Sequence, residues 1–170
     1  MTVRPGAPAD ATAIARIYNE GIEDRVATFE TRLRTPGDIE AWFDGRHPVV
    51  VVERDGTILG FGATFEYRPR ECYAGVAETS IYVARHARGT GVGRAALDAL
   101  MAAAREAGFW KLVSRVFPEN AASLALLDRL GFRQVGRYEK HAQLDGVWRD
   151  VIVVERLLAS EPHSSWRAPA

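Results

Sequence analysis

The stretch of sequence that decides the fold is Glu78-Thr-Ser-Ile-Tyr-Val-Ala-Arg-His-Ala-Arg88-Gly-Thr-Gly-Val-Gly93-Arg94. It begins with the alternating pattern of a strand, and a short polar turn then leads into a glycine-rich loop that opens a long alanine-rich helix. A helix N-terminus leaves backbone N–H groups without partners and carries partial positive charge. We therefore predict that this loop binds a phosphate or diphosphate, with the arginines on either side adding charge and Glu78 on the strand before it.

Glycine-rich loops occur in several nucleotide-binding motifs, so the spacing has to be compared with each. The dinucleotide fingerprint does not fit, because Gly93 comes one position early and Arg94 stands where the last glycine belongs. The Gly-Lys-Ser/Thr ending of a P-loop is also missing. The spacing that remains is Arg88-x-x-Gly91-x-Gly93. A plain strand-to-helix loop with solvated arginines is the alternative that the loop alone leaves open.

Composition limits the class of protein. The chain has 170 residues, of which 47% are apolar and 26% charged, as expected for one globular domain. Lys plus Arg and Asp plus Glu number 22 each, so no overall field attracts nucleic acid or an anionic membrane. The single cysteine excludes an internal disulfide, and no apolar run is long enough for a signal core or a membrane span. We expect a cytoplasmic protein without nucleic-acid or membrane partners.

Sequence patterns predict the element order β-α-α-β-β-β-α-β-α-β-β. The predicted strands cover residues 2–4, 49–53, 58–65, 73–83, 111–116, 132–139 and 147–158, and the predicted helices cover 11–22 (capped by Asp10), 36–44, 91–107 and 121–130. Hairpins mixed with two crossovers indicate an α/β (α+β) fold with a central mixed, mostly antiparallel sheet flanked by helices. We expect one domain over residues 1–159 and a flexible polar tail over 160–170.

Two motifs carry a family resemblance. Arg88-x-x-Gly91-x-Gly93 resembles the acyl-CoA diphosphate motif of the GNAT superfamily of N-acetyltransferases, and Asn120-Ala-Ala-Ser123 with Gly131-Phe132 resembles its second signature. The element order is also similar to the GNAT fold, along nearly the whole chain. Within the superfamily the chain looks most like the phosphinothricin acetyltransferase group, and its ending resembles the bacterial arsinothricin N-acetyltransferases. The stretches that carry this closer likeness are Arg4-Pro5, Ile17-Tyr18-Asn19, Ala27-Thr28-Phe29-Glu30, 78–83, Lys140-His141 and 138–151.

The resemblance implies acetyl-CoA as co-substrate and no metal. It places the coenzyme's diphosphate on the backbone of the loop, at Arg88, Gly89, Thr90, Gly91, Val92, Gly93 and Arg94. It also implies that the backbone of Ile81, Tyr82 and Val83 pairs with the pantetheine arm like an added strand, and that the Val83 N–H is the oxyanion donor. Asn120 and Ser123 would contact the same arm, although Asn120 is equally well placed as a helix N-cap. A homodimer is implied by the family alone.

Glu78 is the candidate general base, because the ammonium group of an acceptor has to lose a proton before attack. A carboxylate on an otherwise apolar strand is expected to have a raised pKa. Strand alternation puts Glu78, Ser80 and Tyr82 on one face of the strand and the more apolar Thr79, Ile81 and Val83 on the other. That pattern leaves open whether the Glu78 face meets solvent or a cleft, and the resemblance favours a cleft.

His141 is the second catalytic candidate, since the group it resembles has a histidine in the active-site region. A structural histidine held by Asp150 is the alternative. The chain departs from the superfamily at Leu127, where other members have a tyrosine or histidine that protonates the leaving thiolate. Leucine has no proton to give, so a protein-borne general acid is in doubt.

Substrate recognition is predicted from the stretch before the Glu78 strand. Arg68, Arg70 and Tyr73 can hold a carboxylate and a second anionic group, and Phe29 and Glu30 are expected to form the opposite wall. A solvated loop charge is the alternative for one of the two arginines. The leading hypothesis is therefore an acetyl-CoA-dependent N-acetyltransferase that detoxifies a small acidic amino-acid analogue and so gives resistance. An acetyltransferase acting on a protein or peptide, or an acetyl-CoA-binding domain without turnover, keeps the same fold.

Overall fold

The structure is a computed structural model, and it describes residues 1–158. Within this range the strands are Thr2–Pro5 (β1), Val49–Arg54 (β2), Thr57–Glu66 (β3), Val76–Val83 (β4), Lys111–Val116 (β5), Arg133–Leu144 (β6) and Val147–Leu157 (β7). The helices are Ala11–Asp24 (α1), Pro36–Glu40 (α2), Val92–Glu106 (α3) and Ala121–Arg129 (α4). The predicted element order is confirmed. The predicted tail lies outside the described residues.

Four local predictions are wrong. The strand predicted over 132–139 runs from Arg133 to Leu144, up to the turn at Asp145-Gly146. The helix predicted over 36–44 ends at Glu40, because the next amides, Trp42 N and Phe43 N, donate to carbonyls only three residues back. The strand predicted over 73–83 begins at Val76, because Glu71–Tyr73 form a 3-10 turn. The Asp10 carboxylate does not cap α1. It accepts the Ala7 N–H at 2.9 Å and binds the guanidinium of Arg4 at 2.8 Å.

Within residues 1–158 the seven strands form one sheet in the order β1-β2-β3-β4-β5-β7-β6, and the β4–β5 pair is the only parallel one there. Four consecutive valines form most of β2, as suits β-branched side chains in a strand buried on both faces. The Phe61 ring faces Trp42 and Tyr82 on the side of α1 and α2. Glycines at the neighbouring positions of β3 let α3 approach the opposite face. The helices therefore cover both faces of the sheet.

The parallel pair β4–β5 opens partway along its length. The ladder joins Val76 to Lys111, Ala77 to Leu112 and Glu78 to Val113, and there it ends. Beyond that point β4 stays paired with β3 and β5 stays paired with β7, so the two neighbouring strands diverge. At the apex Ser114 Oγ donates to the Thr79 carbonyl at 3.0 Å. We call the facing edges of residues 79–83 and 114–116 the β4–β5 split.

Candidate active site

The backbone of β4 alternates between its two neighbours along the split. Ala84 N donates to the Leu59 carbonyl at 2.8 Å, which marks Ala84 and Leu59 as a hydrogen-bonded pair. In an antiparallel ladder such pairs alternate, so Val83 and Ile81 point their N–H and C=O groups away from β3. Those groups face the β4–β5 split. Tyr82 lies between them, and its backbone is turned to β3.

A cavity of about 450 Å³ lies at this split, on the face of the sheet that carries Glu78. It brings together five of the residues predicted for the site, namely Phe29, Glu30, Glu78, Tyr82 and His141. Its other lining residues are Tyr18, Ala27, Thr28, Thr79, Ser80, Ser114, Arg115, Phe117, Ala142 and Val151. We call it the Glu78 cavity. Its volume is in the range of small-molecule sites.

Glu78 lies against a cation in this cavity. Its Oε1 is 2.5 Å from a terminal nitrogen of Arg115, and the Glu78 side chain is 28% exposed. Burial raises the pKa of the Glu78 carboxyl group, whereas the charges of Arg115 and Arg68 work against that shift. The net direction is upward, as predicted from the apolar strand. A carboxylate with a raised pKa is better suited to accept a proton near neutral pH.

The segment after α1 forms one wall of the cavity. The Phe29 ring meets the Phe117 ring edge-to-face, with centroids 4.8 Å apart, and Phe117 is buried with Leu144 and Val151. Glu30 pairs with Arg34 at 2.5 Å, so its charge is compensated locally. The expected wall of Phe29 and Glu30 is therefore present, and an aromatic contact fixes it to the end of β5.

His141 reaches the cavity through a bulge in β6. Tyr138 pairs with Val151 and Ala142 with Arg149, so the residues between them in β6 face only Asp150. Asp150 Oδ1 accepts the Lys140 N–H at 2.8 Å, and Lys140 has a φ of 44°. Asp150 therefore holds the bulge through Arg137 and Lys140, and the structure does not support the alternative of a histidine held by Asp150. The His141 ring instead stacks on Tyr138, with centroids 4.5 Å apart.

The predicted substrate residues before β4 do not line the cavity. Arg68 lies over the Tyr67 ring and Arg70 over the Tyr73 ring, at 5.3 and 5.9 Å from the ring centroids. Both arginines are exposed. The charge of Arg68 lowers the pKa of Glu78, which places Arg68 within electrostatic range of the cavity. The loop thus lies near the site without forming its wall.

A second, smaller cavity continues along the split towards α4. It is lined by Ile81, Val116, Asn120 and Ser123, and it shares Ala27, Ser80, Tyr82, Ser114 and Arg115 with the Glu78 cavity. We call it the Asn120 cavity. The Asn120 side-chain oxygen accepts the Ser123 N–H at 3.2 Å, so the N-cap role predicted for Asn120 is confirmed. The two cavities meet where β4 and β5 diverge.

The glycine-rich loop lies between the end of β4 and α3. Gly89 and Gly91 have φ values of 76° and 89°, in the region that glycine adopts at little cost, and no atom lies within 4 Å of an added Cβ at either position. The first hydrogen bond between residues four apart in α3 runs from Ala95 N to the Gly91 carbonyl. The amides before it are the unpartnered group of a helix N-terminus. This open backbone fits the diphosphate of acetyl-CoA.

The arginines beside the loop already have acidic partners. Arg88 binds Asp24 at 2.6 Å, and its Nε donates to the Val83 carbonyl at 3.3 Å. Arg94 lies 3.6 Å from Asp98 within the same helix. Thr90 Oγ1 donates to the Ala87 carbonyl at 2.6 Å, which fixes the turn. The loop therefore offers backbone amides to a ligand more readily than it offers free arginines.

Leu127 lies in the core, with 4% of its surface exposed. It packs in the cluster that includes Leu130, Phe132 and Ile152. The position at which the family resemblance implies a proton donor is therefore apolar and buried in this chain.

Arg115 is the main residue of the site that the sequence interpretation missed. The sequence does mark Arg115 as unusual, because it is a charged residue inside the mostly apolar strand Lys-Leu-Val-Ser-Arg-Val. Finding it requires the register of β4 against β5, since Val113 pairs with Glu78 and Arg115 follows two residues later on the same face. Ser80 and Ser114, which lie where the two cavities meet, were also not assigned to the site.

Residues 1–158 carry neither a metal-binding cluster nor a membrane-spanning helix. In that part of the chain no group of three or more His, Cys, Asp or Glu side chains could hold a metal ion. None of its helices is both long enough and apolar enough to cross a membrane.

Comparison with known proteins agrees with this geometry. The profile described as "Acetyltransferase (GNAT) family" matches residues 14–132. The chain is 33% identical over 162 residues to the L-methionine sulfoximine/L-methionine sulfone acetyltransferase of Pseudomonas paraeruginosa, covering 91% of this chain and 92% of that one. It is 36% identical over 165 residues to the phosphinothricin N-acetyltransferase of Alcaligenes faecalis, covering 92% and 82%. A Salmonella typhimurium acetyltransferase, solved with its cofactor acetyl-CoA, matches with a TM-score of 0.89 at 29% identity, covering 94% and 95%.

The chain therefore belongs to the GNAT family of acetyltransferases. It is an N-acetyltransferase that uses acetyl-CoA, and the predicted GNAT fold is confirmed.

Proposed function

We propose that this enzyme acetylates the amino group of a small acidic amino-acid analogue of the phosphinothricin, arsinothricin or methionine sulfoximine type. Acetylation would inactivate such a compound and give resistance to it in the cytoplasm. The observation that carries the proposal is the Glu78 cavity, which has the size of a small-molecule site and holds a carboxylate of raised pKa beside a guanidinium. The relatives named for phosphinothricin and methionine sulfoximine support the substrate class.

The coenzyme supplies an activated acetyl thioester when it is bound. The amides between Gly89 and Arg94 would hold its diphosphate, and the outward-facing groups of Ile81 and Val83 would pair with its arm along the β4–β5 split. Asn120 and Ser123 line the far side of that split. The Asn120 cavity opens into the Glu78 cavity. An arm that runs from the loop along the split would therefore point towards the Glu78 carboxylate.

Glu78 would accept a proton from the ammonium group of the acceptor at its carboxylate oxygen. Its burial favours the protonated form and so raises its basicity, while the Val83 N–H faces the split as a donor for a carbonyl oxygen. Phe29 and Phe117 form an apolar wall on one side of the cavity. Leu127 offers no proton, so the thiolate is proposed to take its proton from water or from the acceptor's own ammonium.

The test is thiol release from acetyl-CoA against a panel of acidic amino-acid analogues, with a peptide carrying a free N-terminus as comparison. We expect the acidic analogues to give the highest kcat/KM. Glu78→Gln should lower kcat by roughly 100- to 10,000-fold and keep acetyl-CoA affinity, because only the proton acceptor is lost. Glu66→Gln, an exposed carboxylate at the end of β3, is the matched control and should keep wild-type activity.

If thiol release stays near background with every acidic analogue but is fast with the peptide, the small-substrate proposal is overturned. Turnover retained by Glu78→Gln would overturn the role of that carboxylate. The family resemblance also supports a homodimer, which sedimentation velocity at micromolar concentration would distinguish from a monomer.

A further inference from the structure

Arg115 occupies a specific place on the sheet. Glu78 and Val113 form the last pair of the parallel ladder, and Arg115 follows two residues later on the same face of β5. It therefore stands just inside the β4–β5 split. Its guanidinium reaches back across the opening to Glu78, with 2.5 Å between the nearest nitrogen and oxygen.

The Arg115 guanidinium has more N–H donors than its contact with Glu78 uses. An arginine side chain carries five N–H groups, and one terminal nitrogen makes the contact with Glu78. The Arg115 side chain is 43% exposed, against 28% for Glu78, so it is the more accessible partner. Among the described residues that line the Glu78 cavity, it is the only arginine. The cavity thus presents one guanidinium to an incoming anion.

Distance decides which anion that guanidinium can bind. An amine that gives its proton to Glu78 lies in contact with that carboxylate, and Arg115 touches the same carboxylate. An acidic group bound by Arg115 must then lie within a few bonds of the amine. In an amino-acid acceptor only the α-carboxylate satisfies this, because it shares the carbon that bears the amine. A distal phosphinate or sulfoximine group lies farther along the acceptor.

We propose that Arg115 binds the α-carboxylate of the acceptor and, in doing so, exchanges its contact with Glu78 for the substrate. The exchange frees Glu78 to act as base, so the base becomes active when an acceptor with an α-carboxylate is in place. In the proton transfer an N–H bond of the ammonium breaks and an O–H bond forms on Glu78, leaving the nitrogen lone pair for attack. This inference rests on the proposed function and adds the residue that recognises an amino acid.

Other charges around Glu78 do not provide the same recognition. Glu30, on the segment after α1, is paired with Arg34. His141, on β6, lines the cavity and is stacked on Tyr138. Arg68, on the loop before β4, acts on Glu78 electrostatically and lies over Tyr67. The Arg115 contact is thus the ion pair that the structure places on Glu78.

The experiment compares two acceptors, L-phosphinothricin and its α-carboxamide, in the wild type and in variants. We expect the wild type to prefer the carboxylate by roughly 100-fold in kcat/KM, because the carboxamide leaves the guanidinium without its anion. Arg115→Gln should reduce that preference to a few-fold, and Arg115→Lys should keep part of it. Arg70→Gln should keep the preference. Arg133→Gln breaks a 2.5 Å ion pair with Glu155 elsewhere on the sheet. It shows whether losing an arginine ion pair is enough to change the preference, and it should keep the preference.

A second measurement uses the wild type alone and does not depend on the folding of a variant. The pKa that governs kcat should be higher with the carboxylate than with the carboxamide, by more than the two free amines differ in solution, because the carboxylate removes Arg115 from Glu78 and adds a negative neighbour. The profiles are repeated in His141→Gln, since the His141 imidazole also lines the cavity.

The outcomes separate this inference from the proposed function. If the wild type acetylates no acidic analogue, the proposed function fails. If it acetylates them but Arg115→Gln keeps the full preference for the carboxylate, or the pKa values with the two acceptors differ by no more than those of the free amines, Arg115 is not the anchor and the inference is overturned.

Discussion

Replacing Gly91 by alanine perturbs the coenzyme loop with the least change in side-chain size. Gly91 has a φ of 89°, and no atom lies within 4 Å of the Cβ that alanine would add. The substitution therefore meets no steric clash and acts through the backbone alone. An L-residue held in the left-handed region costs about 1–2 kcal/mol. The loop can escape this cost by rotating its amides away from their present directions.

The expected consequence is weaker coenzyme binding. If the loop relaxes on its own, binding must restore the strained conformation, and a cost of about 1–2 kcal/mol corresponds to a dissociation constant about 5- to 30-fold higher. Isothermal titration calorimetry of acetyl-CoA against the two proteins measures this directly. Urea unfolding of both proteins shows how much of the cost appears as lost stability instead.

Gly146→Ala is the matched control. Gly146 has a φ of 77°, also with no atom within 4 Å of an added Cβ, and it lies in the turn between β6 and β7. It should lose stability by a similar amount and bind acetyl-CoA as the wild type does. If Gly91→Ala also binds acetyl-CoA with an unchanged dissociation constant, the amides of this loop do not hold the diphosphate.

Two further predictions concern packing and pH. Phe117→Ala should lower the free energy of unfolding by about 3–5 kcal/mol, because Phe117 is buried, with 4% of its surface exposed. It should also raise the KM of the acceptor without changing acetyl-CoA affinity, because Phe117 supports the Phe29 ring. Urea unfolding and steady-state kinetics measure the two effects, and a stability loss below about 1 kcal/mol would contradict the packing. The hydrogen bond from Arg4, assisted by the Ala7 N–H, lowers the pKa of the Asp10 carboxyl group. Asp10 therefore stabilises the folded protein above its unfolded-state pKa of about 3.9, and this stabilisation is lost as the pH falls through the lower native pKa. The stability difference between wild type and Asp10→Asn should therefore shrink below about pH 4, and a difference that stays constant there would contradict the assignment.

Local patterns in the sequence predicted those parts of the structure that depend on local physics. Alternation predicted the strand before the loop, Asp55 and Gly56 predicted the turn between β2 and β3, and Asn120 predicted the start of α4. Each of these rests on contacts between residues close together in the chain. The helix that ends early at Glu40 shows how weak such signals are in a short element.

The candidate site depended on contacts that the chain makes over long distances. Glu78 was identified from its strand, but its partner Arg115 lies on another strand beyond a crossover helix, and only the register of the parallel pair brings the two together. Asp150 was the partner in the alternative interpretation of His141 as a structural residue. The bulge in β6 turned the Lys140 amide to Asp150 instead. Neither register nor bulge can be obtained from residue spacing alone.

We propose that the β4–β5 split holds acetyl-CoA with its thioester beside Glu78. The decisive measurement is a crystal structure of the complex with acetyl-CoA. We expect the diphosphate on the amides of residues 89–94, the arm between the two diverging strands, and the acetyl group in the Glu78 cavity. A coenzyme bound outside the split, or a Glu78 carboxylate turned away from the acetyl group, would contradict it.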